Sequence, residues 1–211
     1  MIRYVIFLGK PGSGKGTQAQ YFSRFGWIHL STGELFRRHL QEKTVLGSKV
    51  EQFVKRGDLV PDDVTFSLVE DFLTKVEPDS RIIFDGFPRS ENQAQLLEYW
   101  TEKTGALLVA AVEFFLPDDE AVRRLLNRYY CPSCGYVSNE PGLCPNDGSS
   151  LVKRTDDSEE VIRKRLADYE SYAPQLRTFY RRKGKYLAVD ATKKPSQISK
   201  FLESVMLRND L

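Results

Sequence analysis

Residues 9–17 read G-K-P-G-S-G-K-G-T, and this stretch constrains the fold more than any other part of the chain. A buried-strand pattern at 4–8 leads into this glycine loop, and a helical pattern at 15–25 follows it. Strand, glycine loop and helix, in this order, form the context in which backbone N–H groups cradle a phosphate. The sequence therefore predicts a phosphate-binding loop within an α/β fold.

The loop departs from the usual pattern G-x-x-x-x-G-K-[ST], because Gly16 follows Lys15 where a hydroxyl residue is expected. In nucleotide hydrolases of the switch type, that hydroxyl binds Mg²⁺ directly. Thr17 carries the next hydroxyl, but its side chain points about 100° further round the helix axis than a side chain at position 16 would. We therefore expect nucleotide oxygens, water and an acidic residue to hold Mg²⁺, with Asp85, at the end of a predicted strand, as the candidate. This pattern favours a kinase acting on a second small ligand over a regulatory GTPase.

Strand and helix patterns alternate along the rest of the chain, as in a parallel α/β sheet. Predicted strands cover 27–30, 81–84, 107–116 and 186–190, and predicted helices cover 35–41, 46–56, 61–75, 91–103, 118–129, 159–182 and 196–207. Gly57 is expected to end the helix at 46–56. The stretch 131–150, rich in glycine, proline and cysteine, is predicted to be a loop. We expect a three-layer α/β fold with a central parallel sheet.

Composition narrows the class of protein. The 211 residues suffice for one α/β core with insertions, and 41% hydrophobic with 28% charged residues is ordinary for a globular protein. A net charge of +2 is too small to argue for a nucleic-acid partner. No stretch approaches the roughly 20 apolar residues of a membrane span, and nothing before the first strand resembles a signal peptide. We expect a cytoplasmic protein, since three cysteines within 131–144 indicate metal binding rather than disulfides.

Two similar turns, C-P-S-C-G from Cys131 and C-P-N-D-G from Cys144, form a candidate metal site. Zn²⁺ binds four ligands in a tetrahedron, and Cys131, Cys134, Cys144 and Asp147 offer three sulfurs and a carboxylate. The alternative is a metal-free loop with three incidental thiols. The repeated turn favours a structural zinc.

Three motifs together resemble the nucleoside monophosphate kinases: G-x-P-G-x-G-K-G-T at 9–17, S-T-G-E-L-F-R at 31–37 and D-G-F-P-R at 85–89. Gln93 and the arginines from Arg154 to Arg165 narrow the resemblance to the adenylate kinase family. The match covers nearly the whole chain in the right order. It implies a reversible reaction in which Mg-ATP and AMP give two ADP.

The resemblance also implies an architecture and a state of assembly. The implied parts are a core of 1–30, 61–127 and 160–211, an NMP-binding insertion at 31–60 and a zinc-binding lid at 128–159. A monomer is the precedent in the family. Two departures concern the lid: 135–143 looks shorter than expected, and Asn127 and Tyr129 replace the glycine and arginine expected beside Arg128.

The attacking phosphate oxygen in such a reaction is already largely ionised at neutral pH, so no general base is needed. Catalysis then rests on positioning and electrostatic stabilisation, for which arginine forks suit phosphates. The catalytic residues that the resemblance implies are Lys15, Arg89, Arg128, Arg154 and Arg165. The implied ATP-binding residues are Gly12, Ser13, Gly14, Lys15, Gly16, Thr17, Arg124 and Arg128. The implied AMP-binding residues are Thr32, Arg37, Val60, Gly86, Arg89, Gln93, Arg154 and Arg165.

Four other residues near these motifs are interpreted as non-catalytic. His29 and His39 are interpreted as structural, because no base is required. Asp156 and Asp157 either pair with lid arginines or cap the helix that follows them.

Other functions stay open at this point. A UMP/CMP kinase would share the scaffold, but Thr32 and Gln93 favour AMP, because those kinases tend to carry a smaller residue where Thr32 stands. A zinc-ribbon nucleic-acid binder with an ATP-dependent role would use the same C-P-x-C-G turns. The cysteine loop lacks the interleaved aromatics and the dense basic run that such a surface needs.

Overall fold

The computed structural model describes residues 1–56, 58–154 and 156–207. A five-stranded parallel sheet flanked by helices confirms the predicted fold class. The elements in chain order are β1 (Arg3–Gly9), α1 (Lys15–Ser23), β2 (Trp27–Ser31), α2 (Thr32–Gln41), α3 (Val45–Arg56), α4 (Asp62–Leu73), β3 (Arg81–Asp85), α5 (Glu91–Thr104), β4 (Leu107–Phe115), α6 (Asp118–Leu126), β5 (Tyr129–Tyr130), β6 (Val137–Ser138), β7 (Val152–Lys153), α7 (Glu159–Arg182), β8 (Tyr186–Asp190) and α8 (Pro195–Met206).

The strand order of the large sheet is β2-β3-β1-β4-β8, which places β1 in the centre and β4 between β1 and β8. Every pairing is parallel, so the carboxyl ends of the strands share one edge of the sheet. The register sets Phe7 and Ser31 opposite Asp85 at that edge. The end of β1, the end of β2 and Asp85 therefore meet there, which is where ligands bind in open α/β sheets.

Side chains of β1 alternate between two apolar clusters on the two faces of the sheet. Val5 and Phe7 join the first cluster, and Tyr4, Ile6 and Leu8 join the second. Helices α1, α6 and α8 pack against the first cluster, α4 and α5 against the second, and the long α7 against both. This continuous apolar run buried on both faces is the reason that β1 is the central strand. None of the described helices combines the length and the apolarity that crossing a membrane requires.

Some boundaries differ from the expectations. Helix α6 ends at Leu126, before the predicted 129, because β5 pairs with β6 and β7 in a small antiparallel sheet. The stretch 131–150 is for the same reason more than a loop, since it contains β6. Helix α2 begins at Thr32, where the hydroxyl of Ser31 accepts a hydrogen bond from the backbone N–H of Glu34. Gly57, the predicted end of α3, lies outside the described residues.

Candidate active site

The glycine loop lies at the carboxyl edge of the sheet, between β1 and α1. Gly9, Gly12 and Gly14 have φ values of 143°, 81° and 88°, which L side chains rarely adopt. A Cβ atom at Gly9 would also lie 2.8 Å from Oγ of Ser13 and 2.9 Å from the carbonyl oxygen of Phe114. Glycine therefore lets the backbone turn tightly into the N-terminus of α1, where free N–H groups favour an anion.

The Lys15 side chain folds back into this loop. Its Nζ donates to the carbonyl oxygens of Gly9 at 2.7 Å and Lys10 at 2.9 Å, and to Oγ of Ser13 at 3.3 Å. Burial lowers the pKa of Lys15 to about 8, although the charge of Asp85 acts to raise it. A phosphate in the loop would bring a close counter-charge to this buried ammonium. Lys15 is therefore a cation held within the glycine loop.

Asp85 faces the loop, as its position at a strand end predicts. A Cβ atom at Gly16 would lie 3.6 Å from Oδ2 of Asp85, so the start of α1 passes close to this carboxylate. Nε2 of His29 lies 3.2 Å from the same oxygen. Burial acts to raise the pKa of Asp85, but the hydrogen bond with His29 and the charge of Lys15 hold it below its usual value. No pattern in the sequence indicated this contact of His29.

One cavity of about 440 Å³ collects the cationic side chains, and its volume suits a small-molecule ligand. All of the predicted ATP-binding residues line it. Among the described residues, Lys15 and seven arginines contribute to its wall, the arginines being Arg37, Arg89, Arg123, Arg124, Arg128, Arg154 and Arg165. A smaller cavity adjoins it and shares Arg37, Arg89 and Arg165 with it. Arginines that are far apart in the chain therefore converge on one place.

The clustered arginines are electrostatically costly without an anion. Burial lowers the pKa of Arg154 to about 9, and the positive charges of Arg128 and Arg37 act in the same direction. Nε of Arg154 is buried and has no hydrogen-bond partner among the described residues. A polyanion in the cavity would supply both the negative charge and the missing acceptor.

Two aspartates neutralise part of this charge. Asp157 accepts hydrogen bonds from Nε and Nη2 of Arg128 at 2.8 Å and 2.6 Å, and Asp156 accepts one from Nη1 of Arg165 at 3.2 Å. Burial acts to raise the pKa of Asp156, but the surrounding arginines hold it below its usual value. Ser158 caps α7 instead, because its side chain accepts the capping hydrogen bond. Of the two roles expected for these aspartates, pairing is the one observed.

Arg124 is held against the wall of the larger cavity by two contacts. Its Nε donates to Oε1 of Glu120 at 2.7 Å, and its Nη2 donates to the carbonyl oxygen of Ala191 at 3.0 Å. Glu120 also accepts hydrogen bonds from Arg123. Glu120 was missed in the sequence, although a glutamate four residues before an arginine on a predicted helix is a known signal for such a pair.

The smaller cavity is lined by a connected set of polar groups. Oγ1 of Thr32 and Nε of Arg89 both donate to the carbonyl oxygen of Gly86, at 2.9 Å and 2.7 Å. Oε1 of Gln93 accepts a hydrogen bond from the backbone N–H of Arg89 at 2.8 Å. Buried Val60 lines the same cavity. The predicted AMP-binding residues therefore lie together, with Arg154 in the wall of the larger cavity.

The two cysteine turns have the same backbone geometry. The N–H of Gly135 donates to the carbonyl oxygen of Cys131 at 3.0 Å, and the N–H of Gly148 donates to that of Cys144 at 2.8 Å. The two glycines have φ values of 72° and 73°, which explains why glycine ends each turn. The repeat seen in the sequence is thus a structural repeat.

These turns bring four possible metal ligands together. The sulfur atoms of Cys131, Cys134 and Cys144 and a carboxylate oxygen of Asp147 all lie within 4.8 Å of one another. The sulfurs of Cys134 and Cys144 are 3.4 Å apart, and no disulfide joins them. Ligands at 2.0–2.3 Å from a tetrahedral ion stand roughly 3.5 Å apart, so this donor set fits such an ion.

The cysteine turn also contacts the 31–60 segment across the cavity. A Cβ atom at Gly135 would lie 3.0 Å from Oε1 of Glu34. Nε2 of Gln20 in α1 donates to the carbonyl oxygen of Cys134 at 3.5 Å. An ion pair between Lys164 and Asp58 joins α7 to the same segment. Glu34 and Gly135 both line the larger cavity, so the 31–60 and 128–159 segments meet at its wall.

Comparison with known proteins identifies relatives over almost the whole chain. The family model described as adenylate kinase matches residues 7–185. A protein named adenylate kinase from Dehalococcoides mccartyi is 37% identical, and the alignment covers 96% of this chain and 97% of the relative. Proteins of the same name from Hydrogenobaculum sp. and Chlamydia felis are each 38% identical; the alignments cover 96% and 92% of this chain and 99% and 93% of the relatives. These matches do not favour the pyrimidine-kinase or nucleic-acid alternatives.

Proposed function

This chain belongs to the adenylate kinase family of ATP:AMP phosphotransferases, and on that premise we propose that Lys15 and the converging arginines carry out the phosphoryl transfer. The substrates are ATP, AMP and ADP, and the γ-phosphoryl group of ATP passes reversibly to AMP. One observation supports this assignment above all. Lys15 and six arginines predicted from the sequence line a single cavity beside the glycine loop.

The larger cavity binds ATP in this proposal. Backbone N–H groups of Gly12, Gly14, Gly16 and Thr17 face the phosphates, and Lys15 supplies the mobile cation. Ser13 donates its N–H to the carbonyl oxygen of Lys10 and contributes its side chain to the wall of the cavity. Arg124 offers its planar guanidinium to the adenine, and its two contacts with Glu120 and Ala191 keep it in place. Asp85, which faces the loop across Gly16, would accept hydrogen bonds from water bound to a nucleotide-bound Mg²⁺, and that ion would neutralise charge on the phosphates.

The smaller cavity binds AMP. Arg37 and Arg89 bind its phosphate, and Thr32, Val60 and Gln93 surround its base, while Gly86 anchors Thr32 and Arg89. An ionised oxygen of the AMP phosphate attacks the γ-phosphorus, and the bond to the β–γ bridging oxygen breaks to release ADP. No proton has to be removed from the nucleophile.

Arg128, Arg154 and Arg165 surround the transferred group in this arrangement. Guanidinium groups in a cavity shielded from water stabilise charge as it spreads over the phosphoryl oxygens. Asp156 and Asp157 hold Arg165 and Arg128 in place before the substrates arrive. The arginines therefore need little reorganisation when the phosphates bind.

We propose that 31–60 and 128–159 are the NMP-binding insertion and the lid, and that 1–30, 61–127 and 160–211 form the core. The 31–60 segment forms an apolar cluster with Leu68 of α4, and the described part of 128–159 forms a small cluster of its own. Covers of this kind keep water from the γ-phosphate. A structural zinc held by Cys131, Cys134, Cys144 and Asp147 would cross-link the lid.

We infer that the protein works in the cytoplasm as a monomer. The three cysteines are free thiols gathered in a metal-type cluster, which is typical of a reducing compartment. The state of assembly follows the precedent of the family.

Replacing Arg89 with alanine tests the assignment of the arginines. Arg89→Ala should lower kcat by about 100-fold or more, because the variant lacks one preorganised guanidinium group that stabilises the transition state. Coupled detection of ADP formed from ATP plus AMP measures this change. Arg163→Ala removes an exposed arginine that pairs with Glu159 and serves as the control. Near wild-type turnover of a folded Arg89→Ala protein would refute the proposed role.

A further inference from the structure

The carboxylate of Asp62, the first residue of α4, receives three side-chain hydrogen bonds from the start of α5. Oδ2 accepts from Oγ of Ser90 at 2.7 Å and from Nδ2 of Asn92 at 3.2 Å. Oδ1 accepts from Nε2 of Gln93 at 2.6 Å. These residues are about thirty positions away in the chain, so only the fold brings them to Asp62.

The contacts of Gln93 determine which way its amide group points. Oε1 accepts from the backbone N–H of Arg89 at 2.8 Å, and Nε2 donates to Asp62. A backbone N–H can only donate, and a carboxylate can only accept. Turning the amide by 180° would set donor against donor and acceptor against acceptor. Asp62 and Arg89 therefore select the same orientation of Gln93.

This orientation has a chemical consequence for the base. The Gln93 amide keeps one lone pair on Oε1 and one hydrogen on Nε2 after these contacts are made. An acceptor beside a donor complements the amino group and ring nitrogen of adenine. A 6-oxo purine offers a carbonyl acceptor beside a ring N–H donor, which is the reverse pattern. A fixed amide therefore distinguishes an amino base from a keto base.

Gln93 is 3% exposed and lines the smaller cavity together with Thr32 and Val60. Asp62 is not among the described residues that line either cavity. We propose that Asp62 is a positioning residue for base recognition, which acts by holding the amide of Gln93 with its acceptor and donor set for adenine. The proposal rests on the proposed AMP site and extends it to a residue behind that site.

Variants at position 62 test this role through the Michaelis constants and the choice of base. Asp62→Ala should raise the KM for AMP about tenfold, with a much smaller change in kcat and in the KM for ATP. The preference for AMP over inosine monophosphate, as a ratio of kcat/KM, should fall about tenfold as well. Asp62→Asn can still accept a hydrogen bond from Gln93 and should restore most of both quantities.

Asp63→Ala is the matched control, because Asp63 lies in the same first turn of α4 and is exposed. It removes an equal charge from the helix N-terminus without touching Gln93. Equal changes in Asp62→Ala and Asp63→Ala would overturn the proposal. So would equal rises in the KM for ATP and for AMP, which would indicate a general loss of structure.

Gln93→Ala separates this proposal from the assignment of the AMP site. If Gln93→Ala leaves the KM for AMP unchanged, the assigned base site is wrong and the role of Asp62 falls with it. If Gln93→Ala raises that KM and Asp62→Ala does not, only the role of Asp62 is refuted. The double variant should show no larger change than Gln93→Ala alone, since Asp62 acts through Gln93. Additive changes would contradict the proposal.

Discussion

The two segments that meet at the wall of the larger cavity are held together by different forces. The 31–60 segment joins α4 in an apolar cluster of four buried side chains, Phe36, Val50, Val60 and Leu68. The described part of the 128–159 segment buries Leu151 and two cysteines that belong to the candidate metal site. Helices α2 and α3 build the first segment, whereas strands of two residues each build the second.

This difference indicates that apolar packing stabilises the first segment, whereas the second segment depends on its candidate metal site. Four buried aliphatic or aromatic side chains, each contributing roughly 1.5–3 kcal/mol on burial, hold the 31–60 segment against α4. The described part of the 128–159 segment buries one leucine and two cysteines, so a segment of similar length has much less apolar burial. A metal ion bound by four side chains can supply further stabilising free energy.

Removing the metal should give the largest effect, and it should destabilise the 128–159 segment without destabilising the 31–60 segment. Purified protein should contain about one zinc per chain. A strong chelator should unfold the lid, because binding of structural zinc is worth about 10 kcal/mol in small zinc domains. Hydrogen exchange should then accelerate in the 128–159 segment and stay slow in α2 and α3.

Cys144→Ser should reproduce the effect of the chelator, and Ser133→Ala, an exposed change in the same loop, should not. Protein that contains no zinc when prepared without chelator, yet shows slow exchange in the lid, would refute the role of the metal.

Truncating a side chain in the apolar cluster of the 31–60 segment should lower the stability of the protein by an intermediate amount. Val50 is 1% exposed and lines neither of the two cavities. Val50→Ala should lower the free energy of unfolding by about 2 kcal/mol, because two buried carbons are lost and a small void remains. Denaturant titration measures this change, and the zinc content should stay the same.

Val45→Ala is the control, since Val45 begins the same helix and is 76% exposed. The comparison between the segments fails if the two valine variants lose equal stability.

The smallest effect is expected at Ser149, which orients the carboxylate of Asp147. Its N–H and Oγ donate to Oδ1 of Asp147 at 2.9 Å and 2.6 Å, while Oδ2 lies 3.2 Å from the sulfur of Cys131. Ser149→Ala should weaken zinc binding about tenfold, measured by competition with a chelating dye. Ser150→Ala, at an exposed neighbour, should leave it unchanged. Identical zinc affinities in the two variants would show that Asp147 needs no such support.

Much of the site was predictable because its residues sit in local motifs. The glycine loop, the D-G-F-P-R turn and the two cysteine turns are contiguous, and each carries its own backbone requirement, such as the positive φ at Gly12 or Gly135. Motif order and a resemblance then predicted six arginines that the fold brings to one cavity. The pair formed by Glu120 and Arg124 could have been predicted from their spacing of four residues, but it was missed.

Contacts between distant residues were beyond such reasoning. His29 meets Asp85 only because β2 pairs with β3 in one particular register. Asp62 meets Gln93 only because α4 packs beside α5. The helix expected to reach 129 ends earlier because Tyr129 pairs with a strand, and tertiary pairing overrides local helical preference.

By itself, the sequence determined the parallel α/β fold, the glycine loop between β1 and α1, the cysteine cluster and the family, because each depends on residue types at short or ordered spacings. The tertiary structure alone decided which polar side chains contact each other: Asp157 pairs with Arg128, His29 with Asp85 and Asp62 with Gln93. The physical reason is distance, since hydrogen bonds and charge pairs act over a few ångströms and only the packed chain brings these partners that close.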